Sequence, residues 1–197
     1  EKHGDNHLGM DWPNLDDVQK RYHVMLDMIR LQKGEKGVST LLDFGCGTAH
    51  LLEFMDANNY GNIIYSGLDI SQKSVDIAVS KNPKIEFYCL DILNNTFDIQ
   101  NFDFIVMNGV FTEKRDLSFE EMWNYFTLMI ETVFAKCDKG IAFNVMSKSV
   151  DWERSDLFHV SLEKMSKFLC DKITRNFVVR NDYGLYEYTV YLMKNKV

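Results

Sequence analysis

The chain alternates between short apolar runs and stretches of helical period. Val38 to Phe44, Ile63 to Asp69, Ile85 to Leu90, Phe102 to Met107 and Gly140 to Met146 read as strands. Between them the spacing predicts a helix through Leu51, Leu52 and Met55 to about Asn58, and a Ser71-capped helix through Val79. Ser118 and Glu121 form a capping-box pair opening a long helix whose inner side carries Phe119, Met122, Trp123, Phe126, Met129, Ile130 and Val133. Leu162 to Cys170 is helical in period. Ile173 to Arg180 and Tyr186 to Met193 read as two further strands around a turn at Asn181 to Gly184. Ahead of all this, Glu1 to Asp11 is polar and aperiodic. Asn14 caps a helix bearing Leu15, Val18, Tyr22, Met25, Leu26 and Ile29 on one face and stopping near Gly34. The division expected is an N-terminal lid segment and helix, residues 1–37, on a core of residues 38–197, within one domain.

Strand and helix in alternation mean a parallel sheet with right-handed crossovers, and the short last connection means an antiparallel hairpin. The sharpest local feature is Gly45-Cys46-Gly47 after the first strand. Glycines there permit positive φ and a close backbone approach, and the next helix points its first amides at the same spot: a nucleotide-cofactor crevice. A dinucleotide loop reads G-x-G-x-x-G, but His50 stands at the third glycine position, and Asp43 lies two residues before the first glycine. A carboxylate there repels phosphate and suits a cation. S-adenosylmethionine carries an ammonium and a sulfonium and no phosphate. Asp69 ends the second strand, placed to accept hydrogen bonds from ribose hydroxyls, and Asp91 ends the third.

LLDFGCG, GLDIS, FYCLDIL and FDFIVMNGVF, in that order and each closing a strand, resemble the motif set of class I S-adenosylmethionine-dependent methyltransferases. The one departure is Ala49 at the last glycine of the family's usual G-x-G-x-G. The resemblance implies an α/β, Rossmann-like fold: a mostly parallel seven-stranded sheet, strand order 3-2-1-4-5-7-6, with a C-terminal antiparallel hairpin and helices on both faces. It implies S-adenosylmethionine as cofactor, S-adenosylhomocysteine as product, and a cofactor site of Asp43, Gly45, Cys46, Gly47, Asp69, Ile70, Asp91, Ile92, Asn108 and Gly109. Arg21, on the helix before the first strand, is either a surface ion-pair partner or a clamp for the methionyl carboxylate.

Composition narrows the alternatives. A formal net charge of −7 argues against a protein that lives by gripping nucleic-acid phosphates. The Asn/Asp-Pro-Pro-aromatic motif of nucleic-acid methyltransferases is replaced by Asn108-Gly109-Val110-Phe111, and no tyrosine is followed four residues later by lysine, as a short-chain dehydrogenase requires. A cofactor-binding partner without catalysis stays open. Cys46, Cys89, Cys137 and Cys170 are too scattered for a zinc site or a disulfide framework, so no metal is expected. With no long apolar run and no signal-like start, the expectation is a cytoplasmic enzyme without a membrane partner. The oligomeric state is not readable.

Methyl transfer to a hydroxyl needs a base for the departing proton. The expected bases are His159, ahead of the late helix, and Glu113, after the fourth strand; His159 also reads as a capping or surface histidine, and Glu113 as a solvated loop acid. Trp12, Tyr22, Phe111, Arg115 and Tyr186 are the expected acceptor contacts; Tyr22 and Tyr186 also read as plain packing and strand residues. GIAFNVMS, VDWERSDLFH and NDYGLYEYTVYL are similar to bacterial small-molecule methyltransferases of surface-polysaccharide assembly. That second likeness implies a small polar acceptor: a sugar, a sugar-nucleotide, or a phosphorylated or phosphoramidate precursor.

Overall fold

The computed structural model describes residues 14–31, 37–94 and 99–194. Trp12 and the rest of the segment before Asn14 lie outside the described residues. Helix α1 (Leu15–Leu31) is followed by β1 (Ser39–Phe44), α2 (His50–Ala57), β2 (Ile63–Asp69), α3 (Gln72–Lys81) and β3 (Glu86–Cys89). Then come β4 (Phe102–Phe111), α4 (Phe119–Ala135), β5 (Cys137–Ser147), β6 (His159–Val160), α5 (Leu162–Phe168), β7 (Phe177–Arg180) and β8 (Glu187–Met193).

The strands form one sheet in the order β3-β2-β1-β4-β5-β8-β7, with β6 beside the end of β5. β3, β2, β1, β4 and β5 run parallel. β8 pairs antiparallel with both β5 and β7. With the two-residue β6 set aside, this is the expected seven-strand order and closing hairpin.

Alternate residues of each strand feed two cores. Leu41, Tyr65, Phe104, Val106, Ala142 and Tyr191 pack under α1, α2 and α3, meeting Val18, Tyr22, Met25, Leu26, Leu51, Phe54 and Ala78. Leu42, Leu68, Ile105, Met107, Phe143 and Val190 pack on the other face, under Met122, Phe126, Met129, Ile130 and Val133 of α4 and Met165 of α5. The caps are as the sequence implies: Asn14 Oδ1 accepts Asp16 N–H at 3.0 Å, Ser71 caps α3, and Ser118 with Glu121 closes both halves of a capping box.

Three elements differ from the pattern. β4 continues past Met107 to Phe111, with a register irregularity against β5 and a positive φ of 78° at Gly109. The helix ending at Phe168 runs on as a π-helical turn, Leu169–Ile173, because Leu169 and Ile173 extend its apolar stripe; the strand therefore starts at Phe177, not Ile173. His159 and Val160 form β6, too short to produce a periodic signal.

Candidate active site

β1 delivers the chain to a turn that glycine alone fits. Gly45 has φ of 80°, and a Cβ on it would sit 2.8 Å from Val110 Cγ2. The N–H groups of Gly45 and Cys46 donate to Leu68 O at 2.7 and 3.0 Å, tying the turn to β2. Gly47 N–H donates to Asp69 Oδ2 at 2.8 Å, and Asp69 Oδ1 accepts Ser71 N–H, also at 2.8 Å. Asp69 thus locks the turn while each oxygen keeps a lone pair for a ligand hydroxyl.

Beneath the turn, Asp43 is buried and accepts a hydrogen bond from the Tyr65 hydroxyl at 2.7 Å. Burial is the main force on its carboxyl, pushing the pKa up to about 7, with Tyr65 pulling it down and the Asp69 charge adding to the rise. Burial above all, with the Asp43 and Asp69 charges adding to it, pushes the Cys46 thiol well above its usual range.

Two cavities flank this turn at the carboxyl ends of the strands. One, of about 430 Å³, is lined by Tyr22, Asp43, Cys46, Gly47, Thr112 and Glu113 among others. The second, of about 460 Å³, is lined by Leu68, Asp69, Ile70, Leu90, Asp91, Ile92, Tyr125 and Met129. Gly45, Asn108, Gly109, Val110 and Arg115 line both. An elongated ligand laid across the shared wall would meet the apolar Leu68, Ile92, Tyr125 and Met129 and the Asp69 carboxylate on one side and the Asp43 carboxylate on the other. One further observation fits such a ligand: Asn108 Oδ1 is buried with no hydrogen-bond partner among the described residues, an acceptor facing a group that must donate. Ammonium and amine groups donate; the ionised pyrophosphate of a dinucleotide does not.

Of the expected site residues, Tyr22, Asp43, Gly45, Cys46, Gly47, Asp69, Ile70, Asp91, Ile92, Asn108, Gly109, Glu113 and Arg115 all line these cavities. Arg115 sits at φ of 50°, its amide and that of Lys114 both donating to Asp156 O at 2.9 Å. Its side chain is exposed and reaches Glu113 Oε2 at 3.3 Å.

Four residues are placed elsewhere. His159 lines a separate apolar cavity of about 210 Å³ with Met146, Trp152, Leu157 and Tyr186. Both of its ring nitrogens meet backbone, Nδ1 lying 2.6 Å from Ser147 O and Nε2 accepting Arg154 N–H at 3.3 Å. His159 is thus held as a brace in a cavity other than the one Glu113 lines, and Leu157 of that cavity pairs through its backbone with Glu113. Phe111 is fully buried against Phe126 and Phe143, because β4 runs on far enough to turn it into the core. Tyr186 is exposed at the rim of the apolar cavity. Arg21 Nε donates to both carboxylate oxygens of Glu187 at 3.0 Å, a contact the expected methionyl clamp would have to share.

Sequence reasoning missed Tyr65, Val110, Thr112, Tyr125, Asn144 and Glu187. For Asn144 and Glu187 a signal existed: each is a polar residue within a strand otherwise apolar enough to be buried on both faces.

Residues 41–127 match the family described as a methyltransferase domain. Rv1506c of Mycobacterium tuberculosis, a provisionally assigned methyltransferase, is 24% identical over 157 residues, 77% of this chain and 91% of that one. Among solved structures, the Synechocystis magnesium protoporphyrin IX methyltransferase with bound S-adenosylmethionine superposes with a TM-score of 0.62 at 16% identity, covering 91% of this chain and 80% of that one. The plantazolicin methyltransferase BamL gives 0.67 at 13%, covering 91% and 85%. The architecture is thus the Rossmann-like fold of class I methyltransferases. With the matched methyltransferase domain and this fold shared with structures that hold S-adenosylmethionine, the chain is an S-adenosylmethionine-dependent methyltransferase.

Proposed function

We propose that this methyltransferase acts on an oxygen of a small polar acceptor: a sugar, a sugar-nucleotide, or a phosphorylated or phosphoramidate precursor of a bacterial surface polysaccharide. The observation that carries the reading is the lining of the first cavity beyond the glycine turn, where Tyr22, His50, Thr112, Glu113 and Arg115 present polar groups. The likeness of the C-terminal segments to surface-polysaccharide methyltransferases supports it; the porphyrin and plantazolicin enzymes share the fold at an identity too low to bear on the acceptor.

In this reading the second cavity takes the adenosine, with Asp91 and Ile92 at the base and Asp69 on the ribose. Asp43 and the Gly45-Cys46-Gly47 turn hold the cationic methionyl end beside Asn108 and Gly109. The acceptor lies against Tyr22 and Thr112 with any anionic group on Arg115. Its oxygen attacks the sulfonium methyl in line: the new C–O bond forms as the C–S bond breaks, the electron pair goes to sulfur, and the hydroxyl proton passes to Glu113. The sulfonium is already an activated leaving group, so holding both reactants in register supplies about 7–11 kcal/mol of the barrier reduction.

Incubation with methyl-labelled S-adenosylmethionine and a panel of sugar phosphates and sugar-nucleotides tests this, with O-methylated product the expected result. Glu113→Gln is expected to lower turnover about 10²–10⁴-fold while binding S-adenosylhomocysteine normally. Label entering only peptides or nucleic acid would overturn the acceptor class, and an active Glu113→Gln would overturn the base.

A further inference from the structure

Two polar side chains of the sheet interior have no part in the scheme above. Asn144, in the middle of β5, is fully buried, and Glu187, at the start of β8, is 2% exposed. They are joined: Asn144 Nδ2 donates to Glu187 Oε1 at 2.9 Å. Glu187 in turn accepts Arg21 Nε with both oxygens, and Asn144 Oδ1 accepts the N–H of Gly109 at 2.8 Å. A continuous line of polar contacts therefore runs from α1, through β8 and β5, to the wall shared by the two cavities.

Its direction is fixed by chemistry. A carboxylate only accepts and a backbone N–H only donates, so the Asn144 amide has one orientation that satisfies both neighbours. The peptide between Asn108 and Gly109 is planar and trans, so pinning its N–H toward Asn144 points the Asn108 carbonyl away from it. The side-chain oxygen of that same Asn108 is the buried acceptor without a partner. Buried ionic and polar groups add little stability over a well-packed apolar set, so folding alone gives weak reason for an Arg-Glu-Asn line through an apolar sheet.

We propose that Arg21, Glu187 and Asn144 are positioning residues: they transmit the seating of α1 to the Asn108–Gly109 wall and so set the affinity for the methyl donor. This rests on reading that wall as part of the methyl-donor site. Arg21 acts through Glu187 and Asn144, at a distance from the ligand, in place of the direct clamp its sequence position suggests.

The test is calorimetric titration of the full chain with S-adenosylhomocysteine, beside thermal unfolding without ligand. Glu187→Gln and Arg21→Lys, which keep size, are each expected to raise Kd about tenfold. The double variant is expected to be no weaker than the weaker single one, because both changes break one line. Met165→Ala, in the core under the opposite face, is the control: it lowers the melting temperature and leaves Kd unchanged. If Glu187→Gln fails to fold, Arg21→Lys carries the test. Kd within twofold of the unsubstituted protein in the folded variants, or losses that simply add, would overturn the relay. Absence of binding to the unsubstituted protein would overturn the methyl-donor site itself, and the relay with it.

Discussion

In the proposed donor site, Asp43 trades stability for binding. Its carboxyl is buried, and without a cation beside it the proton is held up to about pH 7. In the unfolded chain the same group titrates near 4. The folded state thus binds the proton more tightly, and the stability Asp43 allows is fully present below pH 4 and falls as the pH rises toward 7. Asp43→Asn keeps an acceptor for the Tyr65 hydroxyl and removes the ionisation. Thermal unfolding without ligand is expected to show this variant more stable than the parent at pH 8, with the gap narrowing toward pH 4. A cationic ligand seated on Asp43, as proposed, would reverse the balance, since it favours the ionised form. Affinity for S-adenosylmethionine should therefore rise about tenfold from pH 6 to pH 8 with proton release on binding, and Asp43→Asn should flatten that dependence. A pH-independent affinity in the parent would refute the assignment of Asp43 to the cationic end.

At the scale of elements, the parts legible in the sequence are those with their own local logic. α4 was readable from both ends: an apolar stripe of helical spacing, and Ser118 and Glu121 satisfying each other's backbone amides. Ser118→Ala is expected to lower the melting temperature by about 2–4 °C, the usual loss for a cap in a chain of this size, with ligand binding unaffected; an unchanged melting temperature would show that packing alone holds that helix end. What was not legible depends on contacts distant in sequence. β6 exists because β5 offers an edge for two residues, His159 and Val160, to pair with. That pairing turns His159 into a brace between Ser147 and Arg154, which no spacing rule reveals. The extension of β4 to Phe111 follows from β5 and α4, and it moves an expected acceptor contact into the core. The glycine turn and its acids, by contrast, were readable because turn, strand end and carboxylate sit within a few residues of one another.

For the molecule as a whole, the sheet order does the assembling. Parallel β1, β2, β3 and β4 bring Asp43, Asp69, Asp91 and Asn108 to one edge of the sheet from stretches far apart in the chain. The antiparallel β8 fills the other side of β5 and carries Glu187 in to meet Arg21. Among the described residues, no helix is long and apolar enough to cross a membrane. The proposed donor site sets Asp43 and Asp69 beside apolar walls, a lining that disfavours a pyrophosphate. The most direct measurement is parallel calorimetric titration of the full chain with S-adenosylmethionine, S-adenosylhomocysteine and a nicotinamide dinucleotide. Saturable one-to-one binding of the two adenosyl ligands and none of the dinucleotide is the predicted result; the dinucleotide binding while both adenosyl ligands fail would contradict it.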